Sequence, residues 1–345
     1  MSHLTIVKAA SWFFDELERR GVLYAILRKA ELVPENIGND VDILIGDGEE
    51  DRVAEAVSDV AKRFSLRLYK RKDVPGLYFI LYGFDGGKLI FLRLDFSHNT
   101  KEKGKLLSAR MLNEKGLCYL PAGLSEKKPK RDVKKFFTYP WRLLFPRGRF
   151  IVFVGPDGVG KSTTAGLLAQ ILEALHVPVT HMHLGFRPRI LPTKRSIVSM
   201  GKEKNAVPGE KSETPGLLRF LYYSLDYILG YFFRIRPLLV KGRMVIGERY
   251  YYNYLVDPRP RKELGFPGWL PRLIYACMPK PDVLVLLSND AQAIFARRQE
   301  HSREEIERQI VEYRWAGKKA KRFLEVRTDK PPAEVAMEVA GNLIN

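Results

Sequence analysis

The run GPDGVGKS, residues 155–162, has residue types and a spacing suited to binding phosphate groups. It fits the pattern G-x-x-x-x-G-K-[ST] in full, directly after an apolar run typical of a strand and directly before a stretch, residues 163–175, typical of a helix. Glycines let backbone N–H groups turn toward phosphate oxygens, and the helix N-terminus adds a partial positive charge. The sequence therefore predicts a nucleotide site formed by Gly155, Asp157, Gly158, Gly160, Lys161, Ser162 and Thr163.

Two residues of this loop have specific roles if the nucleotide is ATP. Lys161 would reach the β- and γ-phosphates, and the hydroxyl of Ser162 would ligate Mg²⁺. We therefore expect ATP and Mg²⁺ as cofactors and Lys161 as a catalytic residue. The alternative is a glycine-rich turn between strand and helix that binds no ligand.

A second set of cations flanks a predicted break between two helices near the C-terminus. Ser302 and Glu305 form a capping-box pattern that starts a helix, so residues 299–301 should separate it from the helix before. A loop of this kind can close over a migrating phosphoryl group, supply cations to its oxygens and exclude water. The candidate cations are Arg297 and Arg298, ranked first, and Arg303, while a solvated charged helix face is the alternative.

Three segments together resemble the thymidylate kinases. They are FVGPDGVGKST at residues 153–163, GERY at 247–250, and ARRQE at 296–300 followed by SREE at 302–305. With HLGFRPR at 183–189 and LYYSLDY at 221–227, the chain looks closest to thymidylate kinase-like proteins associated with surface-polysaccharide genes. The resemblance extends from about residue 150 to the C-terminus, and it implies a P-loop kinase of small acceptors.

The resemblance also implies roles for single residues. Glu248 would help to hold Mg²⁺, directly or through water, and Arg249 would contact the acceptor phosphate or the transferring group. Asp157 would face the sugar hydroxyls of the acceptor. The position of Glu248 and Arg249 agrees with this, because parallel sheets bind ligands at the carboxyl ends of their strands. The alternatives are a surface ion pair for these two residues and a loop-stabilising carboxylate for Asp157.

Other residues are candidates for binding the acceptor. Arg187 and Arg189 follow the second predicted strand and suit an anionic acceptor. Asp226 interrupts the apolar stretch 217–233, where a charge would cost roughly 2.5 to 3.5 kcal/mol at a bilayer centre, so a buried helix is favoured over a membrane span. Asp226 then binds either the acceptor or a structural partner. Residues 256–259, VDPR, depart from the thymidylate kinases where contacts to the base are expected.

The N-terminal third has a possible metal site of its own. Asp40 and Asp42 open a predicted strand on one face, and Asp95 ends another strand. Three carboxylates of this kind can hold Mg²⁺ for nucleotidyl transfer. Residues 20–100 resemble the nucleotidyltransferase superfamily, although LRK at 27–29 replaces the Gly-Ser of that family. Three alternatives stay open: an active domain, a degenerate domain with a ligand-binding or regulatory role, and a plain strand with two acidic residues.

These residues need two different scaffolds. Residues 1–120 predict a small α+β nucleotidyltransferase-like domain with helices at about 4–20 and 50–64, strands at 22–27 and 41–45, and a hairpin of strands 77–82 and 89–96. Residues 121–149 predict a basic linker. Residues 150–345 predict an α/β P-loop kinase domain, a helix-covered parallel sheet with strands at 150–154, 177–182, 244–246, 283–287 and 323–326.

Composition limits the function classes. The chain has 345 residues and a formal charge of +18, of which +7 falls in the linker. The two cysteines, Cys118 and Cys277, show no disulfide or zinc spacing, and the N-terminus lacks a signal-peptide pattern, so a cytoplasmic protein is expected. A basic balance suits phosphorylated substrates, nucleic acid or acidic lipid. No nucleic-acid motif is present, so nucleic acid is a less favoured partner, and a homodimer stays open.

The predicted function is a Mg²⁺-dependent ATP phosphotransferase acting on a small acceptor, first a nucleoside monophosphate such as dTMP. The first alternative is a kinase of a sugar, sugar phosphate or polyol in surface-glycan synthesis, with the N-terminal domain a nucleotidyltransferase. The second alternative is a nucleotide-switched protein that binds nucleic acid or a membrane surface.

Overall fold

The computed structural model describes residues 2–35, 40–71, 76–97, 107, 110–120, 145–184, 190–191, 216–257 and 266–344. The chain divides into two compact units, residues 1–132 and 133–345, called here the N-terminal and C-terminal units. Most of the predicted linker, residues 121–144, lies outside the described residues.

The N-terminal unit is a mixed sheet with two long helices packed against its strands. Its helices are α1 (Ser2–Arg19) and α2 (Glu50–Arg63), and its strands are β1 (Tyr24–Ile26), β2 (Val41–Ile45), β3 (Arg67–Lys70), β4 (Leu77–Asp85), β5 (Lys88–Ser97), β6 (Met111–Leu112) and β7 (Cys118–Tyr119). The strand order is β3-β4-β5-β2-β1-β7-β6. The predicted hairpin is confirmed, because β4 pairs antiparallel with β5 and the turn residues Gly86 and Gly87 have φ values of 57° and 78°.

The C-terminal unit is a parallel sheet flanked by helices, as predicted. Its strands are β8 (Phe150–Val154), β9 (Val179–His183), β10 (Met244–Glu248), β11 (Val283–Ser288) and β12 (Phe323–Arg327), in the order β12-β11-β8-β10-β9. Every pair in this order is parallel. The central strands β8 and β11 are buried along their whole length, as their continuous apolar sequence requires in a sheet covered on both faces.

Among the described residues, the C-terminal unit contains eight α-helices. They are α3 (Lys161–Ala174), α4 (Gly216–Gly230), α5 (Arg236–Val240), α6 (Tyr252–Val256), α7 (Leu270–Cys277), α8 (Ala291–Arg297), α9 (Arg303–Gly317) and α10 (Pro332–Ile344). A π-helical turn, Tyr231–Ile235, joins α4 to α5.

Strand β9 starts and ends later than the predicted 177–182. His176 has a φ of 57°, and the N–H of Val177 donates to Leu172 O at 2.9 Å, so these residues still close the C-terminus of α3. At its other end, β9 continues to His183, which pairs with Glu248 on β10. The later end of β9 therefore places a histidine beside the predicted magnesium ligand.

The helix predicted at 217–233 is buried on one side only. Phe220 and Tyr227 are fully buried, but Leu218, Leu225 and Phe233 are 58%, 47% and 70% exposed. The helix is therefore buried on the face of Phe220 and Tyr227, whose rings contact Tyr254, and exposes apolar side chains on its other face. No helix in the described part of the chain is long and apolar enough to cross a membrane.

Candidate active site

The phosphate-binding loop lies between β8 and the first turn of α3, as the sequence predicts. Gly155 and Gly158 have φ values of 145° and 87°, which residues with a Cβ rarely adopt. A Cβ on Gly155 would lie 2.4 Å from Leu287 O, and one on Gly158 would lie 2.9 Å from the Cβ of Arg298. Both glycines are therefore required by close packing as well as by backbone conformation.

Lys161 begins α3 with its amine enclosed by the loop. Its Nζ donates to the carbonyl oxygens of Gly155 and Pro156, both at 2.8 Å, and lies 3.4 Å from Oδ1 of Asp157. Burial lowers the pKa of Lys161 to about 8, although the Asp157 carboxylate opposes this shift. The amine is thus held at the centre of the loop, where phosphate oxygens could replace the carbonyls as its partners.

Glu248 ends β10 beside the first turn of α3. Oε2 accepts a hydrogen bond from the Ser162 hydroxyl at 2.5 Å, and Oε1 accepts one from Nε2 of His181 at 2.7 Å. Nδ1 of His183 lies 3.5 Å from Oε2. Burial raises the pKa of Glu248, but the hydrogen bonds from His181 and Ser162 outweigh it and hold the pKa at about 2. Glu248 is therefore a carboxylate at neutral pH.

This pair of oxygen donors fits a magnesium ion. Mg²⁺ prefers hard oxygen ligands and in nucleotide sites uses one or two protein groups together with phosphate oxygens and water. The Ser162 hydroxyl and the Glu248 carboxylate are hydrogen-bonded to each other beside the loop. The two predicted ligands are thus brought together, and their roles stay predictions.

Arg249 follows Glu248 in a conformation unusual for a residue with a side chain. Its φ is 63°, which costs on the order of 1–3 kcal/mol and needs support from the surrounding structure. Its N–H donates to Phe153 O at 3.3 Å, and its guanidinium pairs with the Asp157 carboxylate. The backbone therefore turns at this residue and aims the cation across the phosphate-binding loop.

A pocket opens beside the loop, between α6 and α9. Its lining is Val154, Gly155, Asp157, Lys161, Arg249, Asn253, Asp257, His301, Gln309 and Tyr313. Three buried polar residues of this lining were not predicted from the sequence: Asn253, Gln309 and Tyr313. Gln309 and Tyr313 are four residues apart and so lie on one helix face. Asn253 lies in the short helix that follows Glu248 and Arg249. These two spacings are what the sequence offered for predicting the three residues.

The predicted break between two helices is confirmed. Helix α8 ends at Arg297, α9 starts at Arg303, and the Ser302 hydroxyl accepts the N–H of Glu305 at 3.3 Å. The cations differ in position. The Cβ of Arg298 packs on Gly158, and its guanidinium pairs with Glu300. Arg297 donates a hydrogen bond to Thr328 O at 3.5 Å. The guanidinium of Arg303 lies over the Phe295 ring. Arg298 is thus the arginine of the three whose backbone borders the phosphate-binding loop.

Asp226 is fully buried and binds backbone groups. Its Oδ1 accepts the N–H groups of Ile190 and Leu191 at 2.8 and 2.7 Å. These contacts are those of a structural anchor, so the alternative of a structural partner has direct support, with amides in place of an arginine. Its role toward an acceptor stays a prediction. Arg187 and Arg189 lie outside the described residues.

The three aspartates of the N-terminal unit occupy neighbouring positions. Asp42 and Asp95 are partners in the register of β2 and β5, while Asp40 accepts from the Tyr78 hydroxyl at 2.9 Å and lies 3.8 Å from Arg93. Among the described residues, no group of three or more His, Cys, Asp or Glu side chains could hold a metal ion. The structure therefore gives no support to the magnesium site predicted at Asp40, Asp42 and Asp95, because Asp40 is engaged by a hydroxyl and a cation instead.

Comparison with known proteins gives a family match and similar proteins. The sequence model of the thymidylate kinase family matches residues 153–330, just over half of the chain. The chain is similar to a probable thymidylate kinase of Pyrococcus horikoshii, with 32% identity over 143 residues, covering 41% of this chain and 65% of that protein. It is also similar to a thymidylate kinase of Akkermansia muciniphila, with 30% identity over 145 residues, covering 41% of this chain and 62% of that protein. The chain thus spans slightly less than two thirds of either relative.

Proposed function

Because the chain belongs to the thymidylate kinase family, we propose that it transfers the γ-phosphate of ATP to a small acceptor bound beside the phosphate-binding loop. The observation that carries this proposal is the arrangement of Lys161, Ser162 and Glu248. The amine of Lys161 is enclosed by the loop, and the Ser162 hydroxyl donates a hydrogen bond to the Glu248 carboxylate. All three groups lie at the carboxyl end of the parallel sheet.

Each group has a defined part in the proposed reaction. Lys161 exchanges the loop carbonyls for the β- and γ-phosphate oxygens, and Ser162 with Glu248 holds Mg²⁺. A magnesium ion held there would supply positive charge to the phosphate groups. Arg249 contacts the acceptor phosphate or the transferring group. The segment between α8 and α9, residues 298–302, is called here the lid, and Arg298 moves from Glu300 toward the phosphates when the lid closes. Most of the catalytic gain then comes from positioning and from charge stabilisation.

The first proposed acceptor is a nucleoside monophosphate, with dTMP as the leading candidate. Two relatives are named thymidylate kinases, which supports this choice. The pocket between α6 and α9 adjoins Asp157 and Arg249, so an acceptor there would meet a carboxylate for its sugar hydroxyls and a cation for its phosphate.

One observation favours a second acceptor class. The pocket wall contributed by α6 and α9 is polar, with the buried amides of Asn253 and Gln309 and the carboxylate of Asp257. Amide and carboxylate groups form hydrogen bonds with hydroxyls. A sugar, sugar phosphate or polyol is therefore the second candidate.

A screen of ADP release with Mg²⁺ and ATP tests the proposal. The acceptors are dTMP, the other nucleoside monophosphates, sugar phosphates, sugars and polyols, and the control is Lys161→Ala in the same chain. We expect acceptor-dependent ADP release by the wild type and none by the variant. Acceptor-dependent release that is equal in the two proteins would rule out the proposed role of the loop.

A further inference from the structure

His181 lies at the middle of the contact between β9 and β10. In the parallel register, His181 pairs with Ile246 and His183 pairs with Glu248. Paired residues on neighbouring strands point to the same face, so both histidines share the face of the Glu248 side chain. Neither histidine was among the site residues predicted from the sequence.

The two oxygens of Glu248 have different partners. Nε2 of His181 is 2.7 Å from Oε1, whereas the Ser162 hydroxyl is 2.5 Å from Oε2. A carboxylate only accepts hydrogen bonds, so His181 donates the proton of Nε2. His183 is more distant, with Nδ1 3.5 Å from Oε2, and its side chain is 59% exposed against 32% for His181. His181 is therefore the better placed of the two histidines.

Glu248 needs such a partner because its side chain is 3% exposed. A buried carboxylate oxygen without a donor carries a desolvation cost, and a carboxylate bonded on one oxygen only is free to rotate. The donor from β9 occupies the oxygen that faces away from Ser162. The oxygen that faces Ser162 is then held at the phosphate-binding loop.

We propose that His181 is a positioning residue that fixes the Glu248 carboxylate, so that Oε2 and the Ser162 hydroxyl are presented together to Mg²⁺. This inference rests on the proposed function, since it takes Ser162 and Glu248 as the magnesium ligands. Partners of metal ligands act in this way in many sites, where they orient the ligand and tune its affinity for the ion.

Two variants of His181 separate the hydrogen bond from the space the ring fills. His181→Phe keeps a ring but removes the donor. His181→Gln places an amide N–H near the position of Nε2 and restores a donor. His183→Phe is the matched control, because it makes the same change two residues away on the same strand and face.

The first measurement is Mn²⁺ binding to the full chain, followed by electron paramagnetic resonance of the free ion with a non-hydrolysable ATP analogue present. We expect His181→Phe to weaken Mn²⁺ binding by about 10- to 100-fold, the range found when a partner of a metal ligand is removed. His181→Gln should recover most of the affinity, and His183→Phe should lose less than His181→Phe. The same ranking is expected for the Mg²⁺ concentration at half-maximal rate, with the KM for the acceptor unchanged.

The outcomes distinguish this inference from the proposed function. Wild-type affinity in His181→Phe, or an equal loss in the Phe and Gln variants, would overturn the positioning role while leaving the kinase proposal intact. A wild type that binds neither Mn²⁺ nor the analogue would overturn both. The melting temperatures of the variants without nucleotide show whether a loss comes from unfolding, and we expect all three to stay folded.

Discussion

Replacing Gly158 with alanine is expected to weaken ATP binding through a conflict between the phosphate-binding loop and the lid. The backbone φ of 87° costs a residue with a Cβ about 1–2 kcal/mol. The new Cβ would also lie 2.9 Å from the Cβ of Arg298, an atom next to the backbone that cannot rotate away. The loop or the start of the lid must therefore shift.

The expected loss of ATP affinity follows from the backbone conformation of Gly158 and from its contact with Arg298. If the backbone cost alone opposes the binding conformation, 1–2 kcal/mol corresponds to a loss of about 5- to 30-fold in ATP affinity. The clash with Arg298 adds to this value. Isothermal titration calorimetry with ATP and Mg²⁺ measures the affinity, and thermal unfolding measures the stability of the same sample.

Gly166→Ala is the matched control, because it makes the same change eight residues later within α3. Gly166 has no positive φ, and a Cβ there meets nothing within 4 Å. Alanine in a helix interior is favoured over glycine by roughly 0.5–1 kcal/mol, so this variant should be slightly more stable and should bind ATP as the wild type does. Wild-type ATP affinity in Gly158→Ala would refute the reasoning, as would an equal loss in the Gly166 variant.

Four further results are expected. Lys161→Ala should abolish turnover with little change in the unfolding temperature; retained turnover would contradict the role of the loop amine. Ser302→Ala should lower the free energy of unfolding by about 1 kcal/mol, since the α9 cap is lost; an unchanged denaturation midpoint would argue against the cap. Asp226→Asn should lower stability in urea denaturation more than it changes the KM for the acceptor, because the carboxylate binds two backbone N–H groups; the reverse ranking would favour acceptor binding. Burial lowers the pKa of Lys280 from 10.5 to about 8, so between these two pH values the folded chain binds fewer protons at this residue than the unfolded chain. The free energy of unfolding of the wild type relative to Lys280→Met should therefore rise with pH across this window. A difference in free energy that does not change with pH would contradict the lowered pKa.

The sequence was sufficient for the scaffold of the candidate site. Strands β8 and β11 are continuous apolar runs, which identify buried parallel strands directly. The phosphate-binding loop and the capping box at Ser302 depend on short local patterns, so their geometry could be predicted without knowledge of distant contacts. Both features are local in the chain and need no information about packing.

Contacts between distant segments could not be predicted in the same way. The hydrogen bond between His181 and Glu248 depends on the register of β9 against β10, and it joins residues that are 67 positions apart in the chain. The polar pocket depends on how α6 and α9 pack, because Asn253 and Gln309 are far apart in the chain. Asp226 illustrates the same limit, since its partners are backbone groups about 35 residues away that carry no side-chain signature.

The most direct test of the central claim is transfer of labelled phosphate from [γ-³²P]ATP to an acceptor, with product separated and counted for the wild type and Lys161→Ala. We expect the wild type to form labelled acceptor and ADP in equal amounts, with dTMP as the first acceptor examined, and the variant to form neither. ADP without labelled acceptor throughout the panel, or equal labelling by the variant, would contradict phosphoryl transfer at this loop.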